Sequence, residues 1–513
     1  MRVNRKYKFL MMILLIVVSL NSCKEDFFAA KNQDGSKDEF LVFNKKEDFN
    51  AALTSCYIFA ATQGGAGRDY ILTPGFVSQD VIGREGIQVN LNNYMSPNNA
   101  QAFEQYWYNS YRGVAAANLL IDRIAQIKPG ILTPDEIKLY NAQAKFMRGL
   151  AYFIIARAFG DVPMPLEEYT SSQNKMSCTP NAQVFQQVVK DLSEAAADLP
   201  EAGNYLPRDR GRASKGAALA YLANAYMYLK DWPKAKKATE DLMALTKPKY
   251  EIPNDLRAAF TYLYKDEPEY LKEVIFDVQF KRGKDWTIYG RSFTEIDLNG
   301  SFMGSNTAPR FIGPRFDTNA GWGEANVNMK AINSFEPNDL RGKIMTIPWG
   351  STTYEGEYFP GPLTQADWDK TYLKNCGFST KYWLGSYTAG LDTYPQSIPL
   401  MRFTEVILNY AEILYKSGEQ TEAYKQLNKI RARAELADLP VSSSEATFMQ
   451  NLMDERRHEL IMEPNLWFHY TRTGLAAKFL KDNYDITMKP EWNYFPIPIR
   501  ERTLNPNICS NGY

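Results

Sequence analysis

Histidine is nearly absent from this 513-residue sequence, which contains only His458 and His469. His458 begins a pattern like the HExxH motif of zinc proteases, but Met462 stands where that motif needs its second histidine. The sequence also lacks a GxSxG nucleophile elbow and a phosphate-binding glycine loop. We therefore expect no catalytic residue, no metal site and no cofactor, and we expect both histidines to pack in the C-terminal helical region.

An excess of either charge is also absent. The chain has 59 Lys and Arg residues against 59 Asp and Glu residues, and no basic run stands out. Nucleic acid is therefore not an expected partner, because binding to phosphates needs clustered positive charge. Cysteine is sparse as well. Cys56, Cys178, Cys376 and Cys509 form no CxxC pair, and their wide spacing predicts no particular disulfide, even in an oxidising compartment.

The N-terminal apolar run, Phe9–Leu20, is too short to cross a bilayer and follows four basic residues, which is the layout of a signal peptide. The sequence Leu20-Asn21-Ser22-Cys23 then resembles the bacterial lipoprotein processing box. That resemblance implies removal of residues 1–22 and acylation of Cys23, palmitate included. Two or more acyl chains on one terminus anchor a protein stably at a membrane.

Residues 23–45 are predicted to form an acidic tether between the lipid and the folded domain. Lys24-Glu25-Asp26 resembles the acidic export tag of surface lipoproteins in Bacteroidetes. Removal of the signal peptide takes away four basic residues and no acidic ones, which leaves 59 − 4 = 55 basic against 59 acidic residues, a formal charge of −4.

The clearest helical pattern lies in Ala213–Thr246, which is predicted to be two antiparallel helices around a turn at Asp231-Trp232-Pro233. One face of the first helix carries apolar residues at three- and four-residue spacing: Leu219, Leu222, Ala223 and Tyr226. Ala235 follows as the small residue of the second helix, a spacing that matches the tetratricopeptide signature. An ordinary helical hairpin is the alternative.

One such hairpin cannot bury its own apolar face, so further helical pairs are expected. Phe403–Leu436 repeats the pattern around a turn at Ser417-Gly418. Asn109–Ile127 with Ala142–Ala158 forms a weaker pair, and Gln183–Leu199 is predicted to pack on the first hairpin. The predicted fold class is mostly α: a tetratricopeptide-like solenoid with a large loop-rich insertion that carries a few short strands.

The insertion differs from its surroundings in composition. Gly283–Leu400 holds five of the nine tryptophans, is dense in Gly, Asn, Thr and Pro, and has no helical periodicity. Val274–Phe280 is the one convincing strand before it. We therefore divide residues 46–513, taken as one domain, into helical repeats at about 46–260 and 400–480 and a ligand-facing insertion at about 261–400.

Several sequence blocks follow the lipoprotein box in a fixed order: Trp107–Asn118, Ala144–Pro163, Lys215–Trp232, Arg402–Glu419, Leu427–Leu436, Glu455–Gly474 and Tyr494–Asn507 with a terminal Gly-Tyr. Together they resemble the SusD/RagB family of outer-membrane nutrient-binding lipoproteins, over essentially the whole chain outside the insertion. Pro464, Leu466 and His469 depart from the family's Gly, Arg and Asp at these places, which puts local ion pairs in doubt rather than the fold.

The resemblance implies a non-catalytic surface lipoprotein of the outer membrane that binds an oligosaccharide and delivers it to a SusC-like TonB-dependent transporter. It also implies that ligand contacts come from the early segment Arg68–Ala100, predicted to be a loop, and from the insertion. Exposed rings stack on sugar faces while polar side chains bind hydroxyls. The predicted ligand-binding residues are Asp69, Arg84, Asn92, Tyr94, Trp286, Tyr289 and Trp322.

Two other functions fit the same residues. The scaffold could bind peptides, as the RagB branch of the family name suggests. An all-helical glycoside hydrolase is the third possibility, because such a toroid is also rich in helices and aromatic residues. Its paired carboxylates would be recognised only by their separation in space.

Overall fold

The structure, a computed structural model, describes residues 43–61, 68–83, 100–168, 175–206, 209–256, 272–281, 295–296, 302–303, 325–348, 351, 353–354, 357–358, 375–381 and 397–513. Fifteen α-helices and eleven short strands lie in this part of the chain. The predicted mostly α class, with a few short strands, is confirmed.

The helices in chain order are α1 Lys46–Ala61, α2 Arg68–Ser78, α3 Ala100–Ala125, α4 Pro134–Phe159, α5 Asn181–Asp198, α6 Lys215–Tyr228, α7 Trp232–Met243, α8 Met329–Ile332, α9 Leu340–Met345, α10 Phe403–Lys416, α11 Gln420–Arg433, α12 Glu445–Leu460, α13 Leu466–Thr473, α14 Ala476–Tyr484 and α15 Ile499–Leu504. The strands are β1 Val81–Gly83, β2 Val274–Val278, β3 Phe280–Lys281, β4 Glu295–Ile296, β5 Phe302–Met303, β6 Ala325–Asn328, β7 Thr346–Ile347, β8 Thr353–Tyr354, β9 Glu357–Tyr358, β10 Cys376–Ser379 and β11 Ile398–Arg402.

Helices α3 and α4 form the first long antiparallel pair, and both are longer than the sequence pattern predicted. The start of α4 is fixed by a capping box, in which the Thr133 hydroxyl accepts from the Glu136 amide and the Glu136 carboxylate accepts from the Thr133 amide. The helix ends before Gly160, whose φ of 81° suits a residue without a β-carbon. Its second half is buried throughout, so α4 is the central helix of the N-terminal repeats.

The predicted hairpin within Ala213–Thr246 forms as α6 and α7. Ser214 caps α6 and Asp231 caps α7, with Pro233 in the first turn of α7. Burial is not confined to one face of α6, because α5, α7 and β2 pack around it. The Tyr221 hydroxyl donates to the Leu400 carbonyl of β11 and so joins the repeats to the far end of the insertion.

The second predicted hairpin forms as α10 and α11, with the turn at Ser417 and Gly418, whose φ is 85°. It packs beside α7, where Lys236 pairs with Glu419 at 2.6 Å and the Tyr410 hydroxyl donates to Glu240 at 3.0 Å. The two hairpins are therefore neighbours in space, although the whole insertion separates them in sequence.

Strands β2 and β11 mark where the chain leaves the helices and where it returns. They pair antiparallel, with Ile398 opposite Val278 and Arg402 opposite Val274. A four-stranded sheet has the order β1-β6-β10-β7; three of its strands lie between these points in sequence, and β1 comes from the early segment. The insertion therefore starts and ends at one place on the helical repeats.

The early segment was predicted to be a loop from Arg68 onward, and this was wrong for its first part. Residues Arg68–Ser78 form α2, and Tyr70 of that helix is buried, with its hydroxyl accepting from Arg157 at 2.6 Å. A β-carbon on Gly75 would lie 2.7 Å from Val81, so glycine at this position allows helix and strand to pack closely.

A disulfide that the cysteine spacing did not predict joins Cys178 to Cys509 across 331 residues. It fastens the C-terminal segment over the end of α4 and the start of α5. Further contacts hold the same segment, since the Asn511 side chain donates to the Phe495 carbonyl at 2.7 Å and the Tyr513 hydroxyl donates to the Tyr494 carbonyl at 3.1 Å. The terminal Gly-Tyr thus has a packing role.

Candidate functional site: the loop-bearing end of the sheet

The register of the four-stranded sheet brings three chain ends together. Gly83 at the end of β1 lies opposite Ala325 at the start of β6. Strand β10 runs antiparallel on the other side of β6, with Gly377 opposite Val327, so β10 ends at Ser379 on the side of the sheet where β6 begins. We call the end of the sheet formed by Gly83, Ala325 and Ser379 the loop-bearing end, because the chain continues there into residues 84–99, arrives from residues 304–324 and leaves toward residues 382–396.

Most of the predicted ligand-binding residues lie outside the described residues: Arg84, Asn92, Tyr94, Trp286, Tyr289 and Trp322. Asp69 lies in α2, and its side chain is also outside the described part. The backbone nevertheless brings two of the segments together. Arg84 follows Gly83 directly, Trp322 precedes Ala325 by three positions, and Gly83 and Ala325 are partners in the sheet. Trp286 and Tyr289 instead follow β3, which belongs to a different sheet.

A buried aspartate holds the far end of β1. Both oxygens of Asp80 accept from the Arg457 guanidinium of α12, the closest contact being 2.7 Å, and the Tyr484 hydroxyl donates to Oδ1 at 2.6 Å. The Asn328 amide of β6 donates to the Asp80 carbonyl at 2.8 Å. Because Asp80 and Arg457 are both buried, this pair fixes the sheet on the helical part of the molecule.

A second buried pair lies at the loop-bearing end. Lys381, two residues beyond β10, has no exposed surface, and its ammonium donates at 2.6 Å both to Glu463 Oε1 and to the Glu459 carbonyl. Arg402 of β11 binds the same Glu463 carboxylate, at 2.8 Å and 3.0 Å. Burial lowers the pKa of Lys381 to about 8, against the opposing effect of Glu463.

Both pairs belong to one cluster, which we call the ionic hub: the buried charged side chains of residues 455–463 and their partners. Glu455 accepts from Arg341 at 2.8 Å and from Arg431 at 2.7 Å. Glu459 is buried, which alone would raise its pKa, but Arg433 and Arg402 hold that pKa well below its usual range. The hub therefore joins α9, α11, β11 and the residues just after β10 through charge-assisted hydrogen bonds.

Sequence reasoning missed this hub, although a signal was present. Glu455, Arg456, Arg457 and Glu459 are charged at nearly consecutive positions of a helix, so they point to all of its sides. A helix within a packed domain cannot expose every side, so some of these charges had to be buried and paired. The partners could not be named, because Asp80 is 377 residues from Arg457.

Both histidines are buried, as predicted. His469 Nε2 lies 3.1 Å from Glu405 Oε1, and His458 Nε2 lies 3.1 Å from the Ser334 hydroxyl. Burial and nearby arginines lower the pKa of both imidazoles well below the usual value, so both are neutral at pH 7. Among the described residues, no three His, Cys, Asp or Glu side chains are grouped as metal ligands.

A small cavity of about 30 Å³ lies at the end of β2. Thr54 and Tyr57 of α1, the backbone turn Arg210–Arg212 and residues Phe276–Gln279 line it. The chain continues from Gln279 through β3 toward Trp286, so this cavity lies at the base of the segment predicted to carry aromatic rings. Of the helices described, none combines the length and the apolar character needed to span a membrane.

Two family models match the chain. One, described as the SusD family, matches residues 272–513, and the other, described as starch-binding associating with outer membrane, matches residues 33–227. The chain is 25% identical to SusD-like protein P2 of Formosa agariphila over 99% of each chain. It is 21% identical to a SusD-like protein of Bacteroides ovatus over 71% of this chain and 64% of that protein.

Solved structures share the fold. A SusD superfamily protein from Bacteroides vulgatus superposes with a TM-score of 0.73 at 22% identity, covering 91% of this chain and 99% of that one. A laminarin-binding SusD-like protein gives 0.72 at 23% identity, covering 91% and 100%. Surface glycan-binding protein A from Bacteroides fluxus gives 0.69 at 23% identity, covering 90% and 96%.

Proposed function

The chain belongs to the SusD/RagB family, and on that premise we propose that it is a non-catalytic lipoprotein of the outer membrane that binds a glycan at the cell surface. The names of its relatives support this, since they include a laminarin-binding protein, a surface glycan-binding protein and a starch-binding family associated with the outer membrane. The protein would capture an oligosaccharide and deliver it to a SusC-like TonB-dependent transporter.

The observation that carries the proposal is the register of the four-stranded sheet. Gly83 and Ala325 are partners, so the chain leading to Arg84 and the chain arriving from Trp322 attach side by side. A sugar site needs a polar group beside an aromatic ring, because hydroxyls require hydrogen-bond partners while the C–H faces stack on rings. These two segments carry both kinds of side chain.

We assign the ligand contacts to seven residues: Asp69, Arg84, Asn92, Tyr94, Trp286, Tyr289 and Trp322. The early segment contributes polar groups and the ring of Tyr94, and the insertion contributes three further rings. Ligand specificity then depends on how the two segments are held relative to each other.

Attachment to the membrane is assigned to Cys23, at the end of a signal peptide of residues 1–22. The Cys178–Cys509 disulfide supports export, because such bonds persist in oxidising compartments outside the cytoplasm. Residues 23–45 would then act as the tether of a domain that spans residues 46–513. A tether keeps the binder near its transporter, so that weak capture suffices.

The test of binding uses the soluble form that begins at Lys24. We expect it to retain at least one polysaccharide, with laminarin and soluble starch as the first probes, and to produce no new reducing ends during incubation. Trp322→Ala should weaken binding several-fold, since stacking one sugar contributes about 1 kcal/mol. Retention of no glycan on an array would refute the proposal, and new reducing ends would instead support a hydrolase.

The partnership has its own test in the native membrane. A large β-barrel transporter should co-purify with the lipidated protein in mild detergent. The Cys23→Ser variant should be lost from the membrane fraction and should carry no acyl mass. Normal membrane retention of that variant, or the lack of any co-purifying barrel, would contradict this part of the proposal.

A further inference from the structure

The C-terminal strap, residues 505–513, carries one half of the disulfide and is held by other contacts on both sides of it. Before Cys509, the buried Asn505 side chain donates to the Met176 carbonyl at 2.8 Å. After it, the Asn511 side chain donates to two backbone carbonyls, at 2.7 Å and 3.3 Å. None of these hydrogen bonds uses a sulfur atom, so they can position Cys509 before the disulfide forms.

Cys178 is positioned by a separate set of contacts, which involve the residues after it. Thr179 exchanges both backbone hydrogen bonds with Val162, at 2.8 Å and 3.2 Å. The Asn181 amide donates to the Asp161 carboxylate at 2.8 Å, and the Asn181 side chain donates to two carbonyls around the end of α4, at 2.8 Å and 2.9 Å. The turn after α4 therefore fixes the backbone on which Cys178 lies.

The two sulfur atoms have opposite neighbours. The Cys509 amide donates to Cys178 Sγ at 3.1 Å, whereas Cys509 Sγ lies 3.1 Å from the Asp161 carbonyl oxygen. In the reduced chain, the N–H donor would stabilise a thiolate at Cys178, while the carbonyl would accept from the Cys509 thiol and keep it protonated. Because the thiolate is the form that attacks a disulfide, Cys178 should be the more reactive of the two.

In an unfolded chain, other cysteine pairs would form more readily than this one. Cys178 and Cys509 are 331 positions apart, but Cys56 and Cys178 are 178 − 56 = 122 apart, and Cys376 and Cys509 are 509 − 376 = 133 apart. Loop closure becomes less probable as about the 3/2 power of loop length, so each of the two shorter pairs should form about four times as often. The fold removes this competition, because Cys56 and Cys376 are fully buried while Cys178 and Cys509 are only half-buried.

We propose that the Cys178–Cys509 bond forms in a chain that has already folded, with the C-terminal strap positioning Cys509 and with Cys178 as the attacking sulfur. The Cys178 thiolate attacks the disulfide of a small oxidant such as oxidised glutathione, forms a mixed disulfide and releases one glutathione. Cys509 then attacks the Cys178 sulfur and releases the second glutathione. Two electrons pass from the cysteine pair to glutathione, and the two thiol protons end on the two released glutathione molecules. This inference concerns maturation and does not rest on the proposed function.

The first test asks which pair forms. The soluble form that begins at Lys24 is produced in a reducing cytoplasm as the free thiol, and it is oxidised with oxidised glutathione at pH 7.5, either folded or in concentrated urea. In the folded chain we expect Cys178–Cys509 alone, formed at least about tenfold faster than in urea, because the fold raises the effective concentration of the two sulfurs. In urea the pairs Cys56–Cys178 and Cys376–Cys509 should predominate. The same mixture under both conditions, or a reduced chain whose circular dichroism shows no fold, would overturn the inference.

The second test removes the contacts of the strap. The double variant Asn505→Ala with Asn511→Ala should form the bond several-fold more slowly in the folded chain, since Cys509 is then no longer held beside Cys178. Asn493→Ala is the matched control, because the Asn493 side chain is exposed and donates to the Pro490 carbonyl of its own turn. An unchanged rate in the double variant would show that the strap does not position Cys509.

The third test identifies the attacking sulfur. Cys509→Ser leaves Cys178 as the accessible thiol, and Cys178→Ser leaves Cys509. In the folded chain at pH 7.5, Cys509→Ser should react with iodoacetamide and with oxidised glutathione several-fold faster than Cys178→Ser, whereas in urea the two variants should react at similar rates. Mass spectrometry of the labelled peptides measures both. A faster reaction at Cys509, or equal rates in the folded chain, would overturn the assignment of Cys178. No glycan takes part in these experiments, so their outcome leaves the proposed function to its own test.

Discussion

Helices α6 and the C-terminal half of α12 are equally buried, but opposite chemistry holds them in place. In α6 every residue except Lys215, Tyr226 and Tyr228 is buried, and alanine, glycine and leucine predominate. In α12 the buried run 455–459 consists of five titratable side chains. Small apolar residues pack against any neighbour of matching shape, whereas each buried charge needs one particular partner. The α6 region therefore depends on volume, and the α12 region depends on pairing.

The largest effect should come from leaving one buried charge without its partner. In Arg457→Ala the carboxylate of Asp80 stays buried with only the Tyr484 hydroxyl and backbone groups beside it, so the free energy of unfolding should fall by about 3–5 kcal/mol. Urea unfolding of the soluble form measures this. The double variant Asp80→Leu with Arg457→Met removes both charges and should recover most of the loss. A single-variant loss below about 1 kcal/mol would contradict the pairing argument.

The corresponding change in α6 is an increase in volume. Ala218 has no exposed surface, so in Ala218→Leu the added atoms force neighbouring side chains apart, and stability should fall by about 1–3 kcal/mol. Ala51→Leu, at an exposed position of α1, is the matched control and should change little. If both variants unfold at the same urea concentration, α6 is not packed as tightly as its burial indicates.

Two buried glutamates of α10, one without a close arginine pair and one between two arginines, should affect stability differently as the pH changes. Burial raises the pKa of Glu405 to about 7, whereas Arg472 and Arg456 outweigh burial at Glu412 and hold its pKa at about 2. For Glu405 the folded chain keeps the proton while the unfolded chain loses it near 4.5, so its contribution to stability falls as pH rises from about 4.5 to about 7. Glu405→Gln should remove about 1 kcal/mol or more of that decline. Thermal unfolding of the parent and the variant at pH 5 and pH 7.5 measures this decline. If the variant loses as much stability between the two pH values as the parent does, the raised pKa of Glu405 is contradicted.

The smallest effect should come from an ion pair outside the buried region. Lys237 and Asp241 pair on the exposed side of α7. Water screens this pair, so Lys237→Met should change the free energy of unfolding by less than about 0.5 kcal/mol. The same urea experiment at low and high salt checks it. A loss that approached that of Arg457→Ala would remove the distinction between buried and exposed pairs.

Apolar periodicity was enough to predict the helical part of the fold. It located α5, α6, α7, α10 and α11, because their buried residues recur at helical spacing within short stretches. It missed α2, which lies in the segment predicted to be a loop and whose Gly75 is explained by the contact with Val81. It also missed the starts of α3 and α4, although Thr133 and Glu136 form a capping box that can be read in the sequence.

The candidate site was less predictable, for a physical reason. The pairing of β1 with β6 joins residues about 240 positions apart in sequence. Asp80 and Arg457 are 377 positions apart, and Lys381 and Glu463 are 82 positions apart. No local pattern encodes which charge meets which. The seven ligand-binding residues were chosen from composition and from the family resemblance, and they stay predictions. The sheet register shows only that the segments that hold Arg84 and Trp322 are attached to neighbouring strands, at Gly83 and Ala325.

The Cys178–Cys509 bond has a consequence for how the protein would respond to cleavage. It closes a covalent ring that contains everything from the start of α5 to α15, including the insertion and both hairpins. A protease that cuts once anywhere inside this ring opens it but releases nothing, because both pieces remain one molecule through the sulfur bridge. The intact and the nicked protein would run together on a gel until a reductant is added. A protein built in this way can lose a peptide bond in a loop without losing the part that the loop carries.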